Sequence, residues 1–255
     1  MHKVHFIAIL LFSACCAFAQ QVETSRFEVE RWSKNQDCHF VSFGDQGGMM
    51  VTATDKANEQ KEQLWNFITL DTSLYDLKSD LIPLPESYAL FDAKSSDRWA
   101  AFVFVNEKKQ KTDSVVFWTV TYNRVEQEFN TFWGRLPERS TLQSIALIDG
   151  TLMLSVNGRT GNGFLSQYDL DSHTQRTITP SINNDYVLFQ LTVVPESKEF
   201  VLAVREFEEK RYKATCFFVY SHNGTLLQSH RFENGENAGL GRMCFALSLD
   251  RKSVV

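Results

Sequence analysis

After residue 25 the apolar residues of this chain fall in short runs rich in Phe, Val, Leu, Tyr and Thr. These runs alternate with polar positions at a period of two, and no stretch keeps a period of 3.6 for long. The pattern predicts strands throughout, so the expected class is all-β. Four segments are built alike: an apolar strand, a turn, a second strand, a charged loop, an aromatic strand and a polar strand. Second strands are predicted over Gly48 to Thr54, Arg98 to Val105, Thr151 to Asn157 and Glu199 to Glu206. Third strands are predicted over Leu64 to Leu70, Val115 to Tyr122, Phe164 to Leu170 and Thr215 to Ser221. Both sets recur at about fifty residues, and a shared period of that length is the mark of a repeat architecture.

The turn residues agree with these boundaries. Asp45-Gln46-Gly47, Ser95-Ser96-Asp97, Asp149-Gly150 and Pro195-Glu196-Ser197 separate first from second strands, and Asn223-Gly224 reads as a two-residue hairpin after the last third strand. Pro83, Pro85, Pro137 and Pro180 fall near the ends of units, where a missing N–H costs no central ladder bond. Each unit is thus a four-stranded antiparallel meander.

Such a meander repeated over Cys38 to Leu249 resembles a β-propeller blade, as in the WD40-like and kelch-like propellers of exported bacterial proteins. The likeness is one of period and strand order. The Gly-His and Trp-Asp pairs of WD40 repeats and the double glycines of kelch repeats are missing, Gly47-Gly48 being the sole double glycine. It implies an incomplete propeller of four blades, about 38–85, 86–137, 138–180 and 181–240, plus the start of a fifth at 241–249. Each blade has two apolar faces that it cannot cover alone, so neighbours pack face to face. Phe102, Phe104, Phe117, Trp118, Phe217 and Phe218 are the expected core of that packing.

Met243 to Leu249 repeats the first-strand pattern of Cys38 to Phe43, whereas 250–255 breaks it and reads as a non-native tail of the kind a sequencing adapter encodes. Within the N-terminal segment 20–37, Arg26 to Trp32 alternates and suits a ring-closing strand.

Residues 1–19 carry a basic start at His2 and Lys3, an apolar run from Val4 to Phe12, and Ala17-Phe18-Ala19 before Gln20. This is the layout of a secretory signal peptide, so the protein is expected to be exported, periplasmic, cell-surface or secreted, and bacterial. Phe12-Ser13-Ala14-Cys15 offers a second choice, a lipid anchor on Cys15, which the aromatic three residues upstream disfavours. The mature chain then has no transmembrane span. Cys38, Cys216 and Cys244 remain in it, an odd set whose expected fate is burial rather than a disulfide framework.

Twenty-six Lys and Arg against 31 Asp and Glu give a net charge of −5, which removes the electrostatic drive for nucleic-acid binding. His39, His173, His222 and His230 are scattered, adjacent Cys38 and His39 point to opposite strand faces, and no nucleophile motif occurs. Gly158 to Gly163 reads as a hairpin loop rather than a phosphate loop. Asp169 and Asp171 share a strand face and suit a turn, as do Asp71, Asn123 and Asn223 in equivalent places, although calcium binding or acid-base work by that pair is a second reading. No catalytic, cofactor-binding or metal residue is assigned, and no cofactor is called for. Asn223-Gly224-Thr225 is a glycosylation sequon in a eukaryotic secretory route.

Charged loops at 55–63, 106–113 and 208–213 share a propeller face with the connections between units, and that face is the expected binding surface. The leading expectation is an exported, non-enzymatic binding or scaffolding module whose ligand is an unknown protein, peptide or glycan at that loop face. The alternatives are a catalytic propeller of hydrolase, lyase or quinone-dependent dehydrogenase type, marked by convergent titratable residues at the channel mouth, or a structural module of a longer envelope protein.

Overall fold

The computed structural model describes residues 38–106, 114–158 and 162–233. The leader and Cys15, the segment 20–37, Cys244, the strand expected at 243–249 and the tail 250–255 lie outside the described residues. What is described is four antiparallel four-stranded sheets, each a meander in chain order. The first holds β1 (Cys38–Ser42), β2 (Gly48–Ala57), β3 (Gln63–Leu70) and β4 (Asp76–Leu84). The second holds β5 (Ala89–Ser95), β6 (Trp99–Val105), β7 (Ser114–Asn123) and β8 (Glu128–Glu138). The third holds β9 (Thr141–Ile148), β10 (Thr151–Asn157), β11 (Phe164–Asp169) and β12 (Gln175–Ile178). The fourth holds β13 (Asp185–Val194), β14 (Glu199–Glu208), β15 (Arg211–Ser221) and β16 (Leu226–Glu233).

The alternation of side chains along a strand explains how the sheets stack. On β6, Trp99, Ala101, Val103 and Val105 enter a core shared with the third sheet, while Ala100, Phe102 and Phe104 enter one shared with the first. A third core joins Met153 and Leu165 to Leu188, Leu202 and Phe218 between the third and fourth sheets. The second strands of the two inner sheets are therefore covered on both faces, and every residue of β6 and β10 is buried. The first strands sit side by side, β1 by β5, β5 by β9 and β9 by β13, as radial stacking about a common axis requires. This is the all-β, incomplete propeller expected, and the described sheets do not close into a ring.

Aromatic edges lock the blades together. Phe67 meets Phe102 edge-on at 5.1 Å, and Trp65 meets Phe104 at 4.8 Å. Phe67, Phe102 and Phe104 are fully buried, each contributing about 1.5–3 kcal/mol by burial alone. Of the expected core residues, Phe102, Phe104, Phe117 and Phe218 are buried, whereas Trp118 and Phe217 are only half-buried. Phe217 packs against Phe232 at 5.8 Å. Pro83 and Pro137 lie in β4 and β8, the outermost strands.

Three local expectations need correction. The charged loop at 208–213 is mostly strand: β14 and β15 are joined by Glu209 and Lys210 alone, both with positive φ, which is a tight hairpin. The Asn223-Gly224 hairpin has three turn residues instead of two. Ser221 and Thr225 are bonded across it, and Gly224 takes the left-handed position at φ 70°. Cys216 is buried, but Cys38 is exposed at the start of β1.

Candidate functional site

Because each sheet runs outward from its first strand, the turns that leave β1, β5, β9 and β13 converge near the common axis. They enclose a cavity of about 610 Å³. Ile145 and Leu147 of β9 and Leu191 and Val193 of β13 give it an apolar wall, and Lys94, Asp97, Arg124, Asp149 and Lys198 give it a charged rim. Arg124 belongs to the turn between β7 and β8, which lies on the same side as the turns after the first strands.

The rim charges are arranged in pairs across blades. Lys198 of the fourth unit lies 2.5 Å from Asp149 of the third, and that carboxylate raises the lysine's pKa, so Lys198 stays protonated. Arg98 of the second unit reaches Asp171 of the third at 2.9 Å. Arg124 donates to the carbonyls of Ser96 at 2.7 Å and Phe43 at 3.2 Å, and to the side-chain oxygen of Gln46. Lys94 is held by Asp92 of its own strand at 2.9 Å. Asp97 is exposed on the same rim, and burial lowers the pKa of the Arg124 guanidinium, with the Asp97 charge a smaller opposing influence. The mouth thus combines a carboxylate, cations and an apolar wall on one cavity, a mixed lining of the kind that ligand sites use.

The mouth cavity opens on the side opposite the 55–63, 106–113 and 208–213 loops, away from the expected binding face. The reason is strand direction: in an antiparallel meander the first-to-second turns end on one side of the sheet and the second-to-third loops on the other. Of those loops, 107–113 is outside the described residues.

The acid pair singled out earlier serves turns. Asp169 Oδ1 accepts the Ser172 and Asp171 N–H groups at 2.7 and 3.0 Å, which lowers its pKa. Asp71 accepts from Ser73 and Tyr75 in the first sheet, and Asn123 from Val125 and Glu126 in the second. In the fourth sheet the equivalent position is Ser221, whose Oγ accepts the Thr225 N–H at 3.1 Å, with Asn223 two residues on. Gly158 and Gly163 flank a loop between two strands, β10 and β11, with 159–161 outside the described residues. Among the described residues no three His, Cys, Asp or Glu side chains group as metal ligands. No helix there is long and apolar enough to cross a membrane. Sequence reasoning placed Asp97 and Asp149 in turns but missed the rim they share with Lys94, Arg124 and Lys198. The available signal was that all four first-to-second turns end on one side.

No protein-family model and no curated protein sequence matches the chain. Solved structures are similar in fold. Prolyl oligopeptidase B from Galerina marginata, bound to a 35mer hydrolysis and macrocyclization substrate, is 12% identical with a TM-score of 0.49; the match covers 84% of this chain and 29% of that one. A post-proline cleaving enzyme from Rickettsia typhi is 10% identical with a TM-score of 0.47, covering 79% of this chain and 29% of that one. An ACO/RPE65 chimera is 9% identical with a TM-score of 0.46, covering 79% and 51%. The sheet layout is that of a propeller-like β protein, and the chain spans less than a third of the peptidases it matches. The WD40-like or kelch-like assignment gains no family match. The expectation of a non-enzymatic module is corrected to this extent: these neighbours, several of which are peptidases, do not support it.

Proposed function

We propose that this chain is the propeller part of an exported hydrolase, with substrate entering at the mouth formed by the first-to-second turns. The observation that carries the reading is the convergence of titratable groups on one cavity about the axis, with Asp97, Arg124 and Lys198 on its rim and an apolar wall from β9 and β13. Asp97 is the general base, Lys198 and Arg124 stabilise developing negative charge, and Ile145, Leu147 and Val193 hold an apolar part of the substrate. A segment of peptide or glycan polymer fits a cavity of this size and mixed character.

The test is turnover by the full-length protein of a panel of fluorogenic peptides and oligosaccharides, repeated with Asp97→Asn. Cleavage of a panel member, reduced about 10²-fold or more by that substitution with the fold intact, is the expected outcome. Absence of turnover across the panel, or an undiminished rate in the variant, overturns the assignment.

A further inference from the structure

We propose that Asn223 is a site of N-linked glycosylation. Asn223-Gly224-Thr225 is the single Asn-x-Ser/Thr triplet in the sequence. The fold puts it at the tip of the hairpin between β15 and β16, where Asn223 and Thr225 are exposed.

The turn holds the acceptor in a defined shape through bonds made entirely within 221–225. Ser221 N–H donates to the Thr225 carbonyl at 2.9 Å, and Gly224 N–H to the Ser221 carbonyl at 2.7 Å. Asn223 Oδ1 accepts the Thr225 N–H at 3.2 Å and the Ser221 hydroxyl. Both bonds fall on the oxygen, leaving Nδ2, the atom that is glycosylated, uncommitted among the described residues. These contacts are local, so the turn can form on a nascent chain before its blade is complete.

The finished fold also has room for the product. β16 is the outermost strand of its sheet and is exposed along its whole length. The hairpin's other side is tied down, with Gln167 of β11 donating to the His222 carbonyl at 3.1 Å. A glycan at Asn223 therefore projects from the outer rim and screens an edge strand against pairing with another chain. In the reaction, Asn223 Nδ2 attacks the anomeric carbon of an oligosaccharide carried on a polyprenyl pyrophosphate. The C–N bond forms, the C–O bond to phosphate breaks, the pyrophosphate leaves with the electron pair, and the amide proton passes to a carboxylate of the transferase. The inference rests on the leader reading of residues 1–19 and on passage through a eukaryotic secretory route, in place of the bacterial export expected from the sequence, and is independent of the hydrolase assignment.

The experiment is expression of the full chain with its own leader in a eukaryotic secretory host, with the secreted protein treated with a peptide N-glycanase in heavy-oxygen water and the 223 peptide read by mass spectrometry. The expected result is an aspartate carrying heavy oxygen at 223, with the glycan lost in Thr225→Ala, which keeps both Asn223 and the backbone bonds of Thr225. Secreted protein with an unmodified Asn223, or with aspartate lacking heavy oxygen, overturns the site. Protein retained in the cytosol overturns the leader reading and the site with it.

Discussion

Arg124 lays its guanidinium over the ring of Phe43, 4.5 Å from the centroid, while donating to the Phe43 carbonyl. One side chain of the second blade thus caps the innermost strand of the first from above and from the side. Its remaining bonds, to the Ser96 carbonyl and to Gln46, hold the turns after β5 and β1 in one frame at the mouth. The planar fork makes this geometry available to arginine and not to lysine. Arg124→Ala is expected to cost about 2 kcal/mol, the scale of charge-assisted bonds to two carbonyls plus a ring contact. Arg124→Lys should recover little of it. Urea midpoints with an unchanged slope measure the loss, and a lysine variant as stable as the native protein contradicts the geometry.

Gly47 closes the turn between β1 and β2 with φ 88°, and the Phe43 N–H donates to its carbonyl at 2.8 Å. A Cβ placed there meets the Leu70 carbonyl oxygen at 2.0 Å and Asp71 backbone atoms at 2.7 and 2.8 Å. All of these are backbone atoms, so no side-chain rotation relieves the clash. Gly47→Ala is expected to cost about 3 kcal/mol, well beyond the roughly 1 kcal/mol of a left-handed residue alone, because the turn leading into β2 has to shift off the end of β3. Thermal unfolding of the variant checks the size. A shift no larger than that of an exposed surface change means the turn relaxes freely.

The strands were readable where burial is symmetric. Thr151–Asn157 matches its expected limits because both faces of β10 are covered and every residue is apolar or small. The recurring Asx residues at third-strand ends were readable as a repeat, and Asp71, Asn123 and Asp169 do cap equivalent turns. In the fourth blade the capping role passes to Ser221, since a hydroxyl can accept the same N–H, and a pattern of Asp and Asn alone misplaces it. The mouth was not readable. Phe43 and Arg124 are 81 residues apart, and their contact depends on the angle between neighbouring blades, which no local period encodes. Nor does composition distinguish a half-covered face, such as that of Phe217, from a fully covered one.

Asn157 acts as a piece of backbone. Its Nδ2 donates to the Leu188 carbonyl at 2.7 Å and its Oδ1 accepts the Leu188 N–H at 2.8 Å, both bonds buried. The register of β13 against β14 slips between Leu188 and Gln190, so the bulged strand relies on an amide from the third blade. Asn157→Ala leaves two buried backbone groups without partners, an expected loss of about 2–4 kcal/mol. Asn157→Asp keeps the acceptor but sets a carboxylate against the Leu188 carbonyl. That variant should therefore gain stability as the pH falls and its acid becomes a donor, a trend opposite to the native protein's. Equal pH profiles for the two proteins count against this role.

Glu206 sets the native protein's own pH response. Its side chain is only 6% exposed, and it accepts from Arg231 at 2.7 Å, from Asn184, and from the Cys216 thiol at 3.7 Å. The Arg231 bond is the main cause that holds its pKa below the ordinary 4.5, with burial opposing. A depressed folded pKa gives stability that is complete above the unfolded value and is lost as the pH falls through the folded one. The acid limb should thus begin near pH 4.5 and continue below it. Cys216 provides the other limb: burial first, then the Glu206 charge, pushes its thiol from 9.0 up to about 11. A thiol harder to ionise in the folded state gives stability that is present below pH 9 and lost towards pH 11. Glu206→Gln should flatten the acid limb and shrink the alkaline one, because it removes a charge that opposes the thiolate. Cys216→Ala should reduce the alkaline limb, to which buried Tyr168, Tyr186 and Tyr220, whose pKa values burial raises, also contribute, and leave the acid limb in place. Urea midpoints measured across pH 3 to 11 for the three proteins separate these effects, and an unchanged acid limb in Glu206→Gln rules out Glu206 as its source.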